Sequence, residues 1–338
     1  MELMTSRKIA VLIGLSIVLM ATLAPAGAPL VGQQAGPPMH VDDPAASPKS
    51  AAPAIESGPA SAPATKGTVT QQGAAAGAAG TAWKPDYGPL LQQVSTYLGR
   101  LPGDWSLYFK DLNSGVTFGI DADMPVPAAS TVKVPVVLYA SHLVSQGTLR
   151  WTDKVAYVES ADWRDGAGSM QSTARDGSKY AISYLCKKAI VESDNVAWKM
   201  LERSLGLANI GEFMRDELGG TLVYPGGENV STARDMVTYM GAALQFSKED
   251  PASGKDLMNS LAHTIWNDGL SHLLKGKVTI AHKEGAISGV ANDVGVVYAK
   301  HPYIVAVMSK DQGNLDDSFE KIAQVSRMIY NHQASTGK

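Results

Sequence analysis

Two side chains with complementary chemistry lie three residues apart in the segment Ala129–Pro135. Ser130 and Lys133 would share one face of a helix, because residues i and i+3 are neighbours there. A serine hydroxyl is a weak nucleophile until a base takes its proton. A lysine whose pKa is lowered by burial or by nearby positive charge can be that base. The pair therefore indicates a nucleophilic serine, although so short a pattern also occurs by chance on ordinary helices.

Two further polar motifs follow in the chain. The S-D-N motif Ser193–Asn195 lies between two helical patterns, and the K-E-G-A segment Lys283–Ala286 lies on a predicted strand. The combination S-x-x-K, S-D-N and K-T-G, in this order, is the signature of class A β-lactamases and penicillin-binding proteins. The chain resembles this family in the order of its motifs, although K-E-G stands in place of K-T-G.

The resemblance extends from near Trp83 to near His332. Residues 105–142 resemble the family's opening hairpin and nucleophile helix, and residues 168–171 resemble the region before S-D-N. Residues 231–236 resemble the region after the omega loop, and residues 292–295 resemble the strand after K-T-G. It implies an α/β (α+β) fold with a five-stranded antiparallel sheet flanked by terminal helices. An all-helical subdomain would complete the fold, with the active site in the cleft between the two lobes.

The resemblance assigns catalytic roles to three residues. Ser130 is expected to be the acylated nucleophile and Lys133 its general base. Ser193 is expected to pass a proton to the leaving nitrogen, although a serine before a helix also suits an N-cap. Asp194 can provide the cap instead, which leaves Ser193 and Asn195 free to face the cleft.

The substrate-binding residues follow from the same resemblance. Asn195 is expected to bind Lys133 and the substrate amide, and Lys283 the substrate carboxylate. A lysine on an edge strand can also serve only to prevent strand pairing. Gly285 and Ala286 complete the binding strand, and the backbone N–H groups of Ser130 and Ala286 would form the oxyanion hole. Such donors are each worth about 3 kcal/mol of the barrier.

Two positions depart from the family pattern. Glu284 occupies a position where the family has Ser or Thr, and an ionised carboxylate would repel a substrate carboxylate unless it points away or pairs with Lys283. The family's Glu-x-x-Leu-Asn pattern, which activates water for deacylation, is absent between Asn195 and Ser231. Glu228 is the remaining acid in the shortened loop, and it is either the deacylation base or a solvated turn residue.

Composition limits the other function classes. The 338 residues are 45% hydrophobic and 18% charged, which is typical of a globular protein. A net charge of −3 gives no reason to expect a nucleic acid partner. We expect no metal or other cofactor, because neither zinc-ligand spacing nor a glycine-rich phosphate loop occurs. The single cysteine, Cys186, is expected to be a small buried hydrophobe.

The N-terminal region predicts export. Residues 1–26 combine Arg7 and Lys8 with an apolar run and an A-x-A cleavage site, and are a signal peptide or a signal anchor. Residues 27–82 are rich in Pro, Ala, Gly and Ser and are expected to be a disordered linker. The catalytic domain would span residues 83–335. We expect a monomer that is secreted or extracytoplasmic and contacts membrane only through the N-terminal segment.

Hydrophobic periodicity supplies the expected elements. Five strands are predicted at 105–112, 116–121, 277–284, 291–300 and 302–309. Helices are predicted around residues 90–101 and from Phe319 onward, and at 130–145, 181–191, 195–205, 208–216 and 232–246. Residues 150–180 are rich in turn formers.

Three functions fit this sequence. The first is a serine hydrolase that opens β-lactam rings through a Ser130 acyl-enzyme that is slowly deacylated. The second is a penicillin-binding peptidase that acts on the D-Ala-D-Ala stems of peptidoglycan and needs no specialised water-activating Glu. The third is a cell-wall-binding protein that keeps the fold without turnover.

Overall fold

Strands from both ends of the chain meet in one sheet. The computed structural model describes residues 69–72 and 85–335. Its strands are β1 Val69–Gln72, β2 Asp104–Asp111, β3 Thr117–Ile120, β4 Val126–Pro127, β5 Lys154–Ala156, β6 Lys179–Ala181, β7 Val230–Ser231, β8 Ile280–Ile287, β9 Val290–Val297 and β10 Tyr303–Lys310. Six of them form an antiparallel sheet in the order β1-β3-β2-β10-β9-β8, and β4–β7 and β5–β6 form two small pairs.

Helices cover both faces of the sheet. They are α1 Gly88–Leu98, α2 Lys133–Ser145, α3 Glu159–Asp162, α4 Met170–Thr173, α5 Ile182–Val191, α6 Asn195–Leu205, α7 Leu207–Glu212, α8 Ala233–Glu249, α9 Pro251–Ala262 and α10 Leu315–Ser335. The terminal helices α1 and α10 pack on one face, and the helical lobe packs on the other. None of the helices within residues 69–72 and 85–335 contains an apolar stretch that could span a bilayer.

The strand sequences explain the two cores. Successive side chains of a strand point to opposite faces. On β10, Val305 and Val307 therefore belong to the core under the terminal helices, whereas Ile304 and Met308 belong to the core under the helical lobe. Because both faces are covered, β10 is almost continuously apolar instead of alternating.

The predicted architecture is confirmed, and the five predicted strands are all present. The fold is β-lactamase-like, with the two lobes that the resemblance implies. The last strands are shifted by up to three residues, so that β8 continues through Ala286 to Ile287. The predicted helix at 208–216 is α7 followed by a π-helical turn, Phe213–Glu217.

The structure corrects the prediction in two places. A sixth strand, β1, lies inside the range 27–82 that was predicted to be a disordered linker. Its four residues pair with β3, some 50 positions along the chain, and composition does not show such a distant partner. Helix α9 was also missed, although Asp250 accepts a hydrogen bond from the N–H of Ser253 at its start. The predicted signal segment 1–26 lies outside the described residues.

Candidate active site

Ser130, the expected nucleophile, lies in a tightly held turn between β4 and α2. Ser130 is in a 3-10 helix over residues 129–132 that leads directly into α2. Ala129, just before it, has a left-handed φ of 50°, a strained conformation for a residue with a side chain. The Nδ2 of Asn229 donates to the Ala129 carbonyl at 2.9 Å, and the Nδ2 of Asn292 donates to the Pro127 carbonyl at 2.9 Å. These bonds hold the turn in its strained conformation.

The loop that carries Ser193 is held in a similar way. Ser193 has a left-handed φ of 57°. Asp194 caps α6, because its Oδ1 accepts the N–H of Ala197 at 2.9 Å, and its Oδ2 accepts the N–H of Met170 at 2.8 Å. Asp194 therefore supplies the cap, and the side chains of Ser193 and Asn195 contact the lysines of the site instead.

Lys133 is at the centre of the hydrogen-bond network. Its Nζ lies 2.6 Å from the Ser193 carbonyl oxygen, 2.7 Å from Asn195 Oδ1 and 3.0 Å from Ser130 Oγ. The Trp198 ring lies beneath it, with its centroid 5.4 Å from Nζ. Two of these neighbours are carbonyl oxygens, which can only accept. A neutral amine has two N–H groups for them, and its lone pair then faces the Ser130 hydroxyl.

The surroundings of Lys133 favour this neutral form. Its side chain is 1% exposed. Burial, and the positive charge of Lys283 nearby, hold the pKa of Lys133 well below its usual range, although Asp194 and Glu202 oppose the shift. No carboxylate is hydrogen-bonded to Lys133 Nζ or Ser130 Oγ in the described part of the chain. The amine is therefore suited to accept a proton from Ser130.

Lys283 joins the sheet to the Ser193 loop. Its Nζ donates to Ser193 Oγ at 3.0 Å and to its neighbour's carbonyl, that of Glu284, at 2.7 Å. Burial lowers the pKa of Lys283 to about 8, so the side chain is mainly cationic at neutral pH. Ser193 Oγ thus accepts from a lysine and keeps its own proton available for donation.

The strand β8 approaches the nucleophile turn very closely at Gly285. A Cβ at this position would lie 2.9 Å from the Ala128 carbonyl oxygen and 3.0 Å from the Ser130 nitrogen. Only a glycine permits this approach without a shift of the backbone. The next residue, Ala286, is exposed at the edge of the sheet. The structure thus brings the strand of Gly285 and Ala286 beside the Ser130 amide.

Glu284 points away from the substrate side. Its Oε1 accepts the backbone N–H groups of Asp268 and Gly269, both at 2.7 Å, and its side chain is buried. Burial and the charge of Asp293 raise the pKa of Glu284 to about 7, even though the two N–H groups favour the anion. Of the orientations that the sequence left open, the structure shows the one without a salt bridge to Lys283.

Glu228 is exposed in a turn over residues 225–228. The residue that reaches the nucleophile turn from this loop is its neighbour Asn229, whose carbonyl also accepts the N–H of Ala128 at 2.9 Å. A role for Glu228 in activating water draws no support from this geometry. Asn229 was missed from the sequence, because nothing in the loop marks it beyond its position before Ser231.

Aromatic side chains border the site on the helical lobe. Trp163 is 46% exposed. It is two residues before Asp165, whose carbonyl accepts from Asn195 Nδ2 at 2.8 Å. Trp198, under Lys133, was not foreseen. It lies three residues after Asn195 on α6, and this spacing could have shown that the two share a face.

One cluster has the donor atoms of a metal site. His282, Glu284 and Asp293 place one ligand atom each within 4.8 Å of the others, and all three are buried. Sequence spacing does not indicate this cluster, because its residues lie on two strands. The carboxylates already accept backbone N–H groups and the His282 ring, so internal hydrogen bonds account for the cluster.

Comparison with known proteins identifies the family of the chain. A model of the β-lactamase enzyme family matches residues 89–333. The fold and the matched length define a protein of the β-lactamase and penicillin-binding serine hydrolase class. The chain belongs to the β-lactamase enzyme family. No curated protein matches it.

Solved structures of this class superpose well on the chain. PBP-A is 30% identical, with a TM-score of 0.68 over 73% of this chain and 96% of its own. A variant of PBP-A, solved as an acyl-enzyme complex with penicillin G, is also 30% identical, with a TM-score of 0.67 and the same coverage. A β-lactamase from Sphaerobacter thermophilus is 22% identical, with a TM-score of 0.65 over 75% of this chain and 98% of its own, and shows the shared fold alone.

Proposed function

We propose that the protein is a serine hydrolase that β-lactams acylate at Ser130 and that releases the acyl group slowly. The observation that carries this proposal is the position of Lys133 Nζ, 3.0 Å from Ser130 Oγ and bound to two carbonyl oxygens. Reaction of a variant of PBP-A with penicillin G supports the choice of substrate class.

Acylation would use the described groups in a fixed order. Ser130 Oγ attacks the lactam carbonyl carbon while its proton passes to Lys133 Nζ. The backbone N–H groups of Ser130 and Ala286 stabilise the oxyanion. The carbon–nitrogen bond then breaks, the leaving nitrogen takes the Ser193 proton, and Ser193 recovers a proton from Lys133. Lys283 remains cationic and binds the substrate carboxylate.

The surroundings of Ser130 support slow deacylation. The group that reaches its turn from the shortened loop is Asn229, an amide, and among the described residues its Oδ1 is buried without a hydrogen-bond partner. An amide oxygen can orient water but cannot take a proton from it. Loss of general-base help costs about 10²–10⁴ in rate. The acyl-enzyme should therefore accumulate.

A peptidase activity on D-Ala-D-Ala stems is the second candidate. The 30% identity to PBP-A over 73% of the chain favours it. Acylation by such a stem needs the same residues, and release to an amine acceptor does not need a base dedicated to water.

Intact-mass measurement over time, after mixing with a penicillin, tests the proposal. We expect one penicilloyl adduct that forms within seconds and persists, and none on Ser130→Ala. Fast turnover with free enzyme at steady state would contradict slow deacylation, and Glu228→Gln would then show whether Glu228 is the missing base. Persistent labelling of Ser130→Ala would contradict the nucleophile assignment.

Export is part of the same proposal. It is supported by the basic and apolar segment 1–26 and its A-x-A site, and β-lactams and peptidoglycan both occur outside the cytoplasm. N-terminal sequencing of the protein from the culture medium and from the membrane fraction would distinguish a cleaved signal peptide from an anchor.

A further inference from the structure

The segment Thr264–Leu270, which we call the strap, is bound to the helical lobe at its first residues. The N–H of Ile265 donates to the Val191 carbonyl at 3.1 Å, and Trp266 Nε1 donates to the Glu192 carbonyl at 3.1 Å. Both acceptors come directly before the serine of the S-D-N motif. The strap is therefore attached to the loop that presents this serine.

The last residues of the strap are bound to the sheet. The N–H groups of Asp268 and Gly269 donate to Glu284 Oε1, and the N–H of Leu270 donates to Asp293 Oδ2, all at 2.7 Å. Glu284 and Asp293 face each other in register on β8 and β9. Two buried carboxylates thus bind three successive amides of the strap.

The contact between the strap and the sheet leaves no spare room. A Cβ on Gly269 would lie 2.5 Å from Asp293 Oδ2. His282 Nδ1 lies 3.0 Å from the same oxygen, and its Nε2 lies 3.4 Å from Asn267 Oδ1. Burial alone would lower the pKa of His282, but the Asp293 carboxylate outweighs it and raises this pKa.

We propose that the strap sets the distance between Ser193 and Lys283, and that Glu284 is a positioning residue that fastens the strap to the sheet. Ser193 follows one attachment point, and Lys283 immediately precedes Glu284 at the other. The 3.0 Å contact between Lys283 Nζ and Ser193 Oγ therefore spans the same gap as the strap. A single side-chain contact between the lobes would open easily, whereas the strap spans the same gap and is hydrogen-bonded to the lobe at one end and to the sheet at the other, which keeps the gap closed.

This assignment explains why a carboxylate is tolerated beside Lys283. Glu284 is 6% exposed, and two N–H groups occupy its Oε1. It binds the strap and leaves the substrate carboxylate to Lys283. A threonine here is too short to reach the strap amides, whereas a glutamine keeps an oxygen at the same distance. Glu284→Thr therefore removes the hydrogen bonds to the strap together with the charge, whereas Glu284→Gln removes only the charge.

The test compares Glu284→Thr with Glu284→Gln in the full chain. Second-order acylation by benzylpenicillin is followed by rapid-quench mass spectrometry, with KM and kcat measured separately and as a function of pH. Amide hydrogen exchange is followed in residues 191–195 and 264–270. We expect Glu284→Thr to be acylated about 10- to 100-fold more slowly, because the reacting groups are no longer held in position. Its amide hydrogens should exchange faster in both segments. Glu284→Gln should stay within about threefold of the wild type.

Matched variants keep the test decisive. Glu217→Thr, on an exposed residue, should change neither measurement. Gly269→Ala disturbs the same contact from the strap side and replaces Glu284→Thr if that variant does not fold. It should reproduce the slow acylation and the faster exchange.

Two results would overturn the inference. If Glu284→Thr is acylated at the wild-type rate although its amide hydrogens exchange faster, the strap does not set the distance between Ser193 and Lys283. If Glu284→Thr and Glu284→Gln lose the same acylation rate and their amide hydrogen exchange is unchanged, the charge of Glu284 acts on the substrate instead. The inference rests on the proposed function, and a wild-type chain that no penicillin acylates would defeat both. Normal acylation of the wild type together with equally fast acylation of Glu284→Thr defeats the strap inference alone.

Discussion

The proposed basicity of Lys133 comes from its position and not from a neighbouring acid. The side chain is 1% exposed, and its partners are neutral acceptors and the nucleophile. We expect Lys133→Ala to slow acylation at pH 7 by at least about 100-fold, the scale of lost general-base help. Rapid-quench mass spectrometry measures this rate. The exposed Lys187→Ala is the control, and undiminished acylation of Lys133→Ala would mean that another group activates Ser130.

Lys283 should impose an alkaline limit on substrate binding. Because its pKa is about 8, its positive charge is lost as the pH rises through 8. We expect the KM for benzylpenicillin to rise severalfold between pH 7 and 9, and to stay flat for a substrate without the carboxylate. Lys283→Arg should move the limit to higher pH, because arginine stays protonated. An equal rise for both substrates would assign the limit to another group.

At the scale of elements, the site depends on how closely β8 approaches the turn before α2. Gly285→Ala would place a methyl group 3.0 Å from the Ser130 nitrogen, so one backbone must shift. A displacement of this size at an oxyanion donor costs about 10- to 100-fold in acylation. Stopped-flow acylation measures the loss. Gly313→Ala, with open space around the new methyl group, is the control. Acylation of Gly285→Ala at the wild-type rate would show that the turn can shift without affecting the reaction.

Short motifs and hydrophobic periodicity in the sequence were enough to predict much of the candidate site and most of the helices and strands. Ser130 and Lys133 could be found because they lie three residues apart at the start of a predicted helix, and Asn195 could be found because it ends the S-D-N motif of the family that the sequence resembles. The role of Glu284 could not be found, because it depends on the strap 15 residues earlier. Asn229 and the strand β1 were missed for the same reason. In each case the partner lies far along the chain, and neither periodicity nor composition indicates such contacts.

At the scale of the whole molecule, a buried polar group joins the two ends of the domain. Tyr87 precedes α1, Gln333 lies on α10, and both contact Asp111 Oδ2, at 2.7 and 2.9 Å. We expect Tyr87→Phe to lower the free energy of unfolding by about 1–3 kcal/mol, the scale of a bond to a charged group. Urea denaturation measures it, with the exposed Tyr298→Phe as control. No loss would show that Gln333 and the turn after β2 satisfy Asp111 unaided.

The strand β1 determines where anything ahead of Val69 is joined to the enzyme. It occupies one margin of the sheet, and β8, which carries Lys283, occupies the other. Neighbouring strands are about 4.8 Å apart, so five such steps separate the two margins by roughly 24 Å. A tether attached at Val69 would pull on the domain at the edge of the sheet remote from Lys283. Substrates as large as a peptidoglycan strand could then approach the reactive serine without crossing the point of attachment.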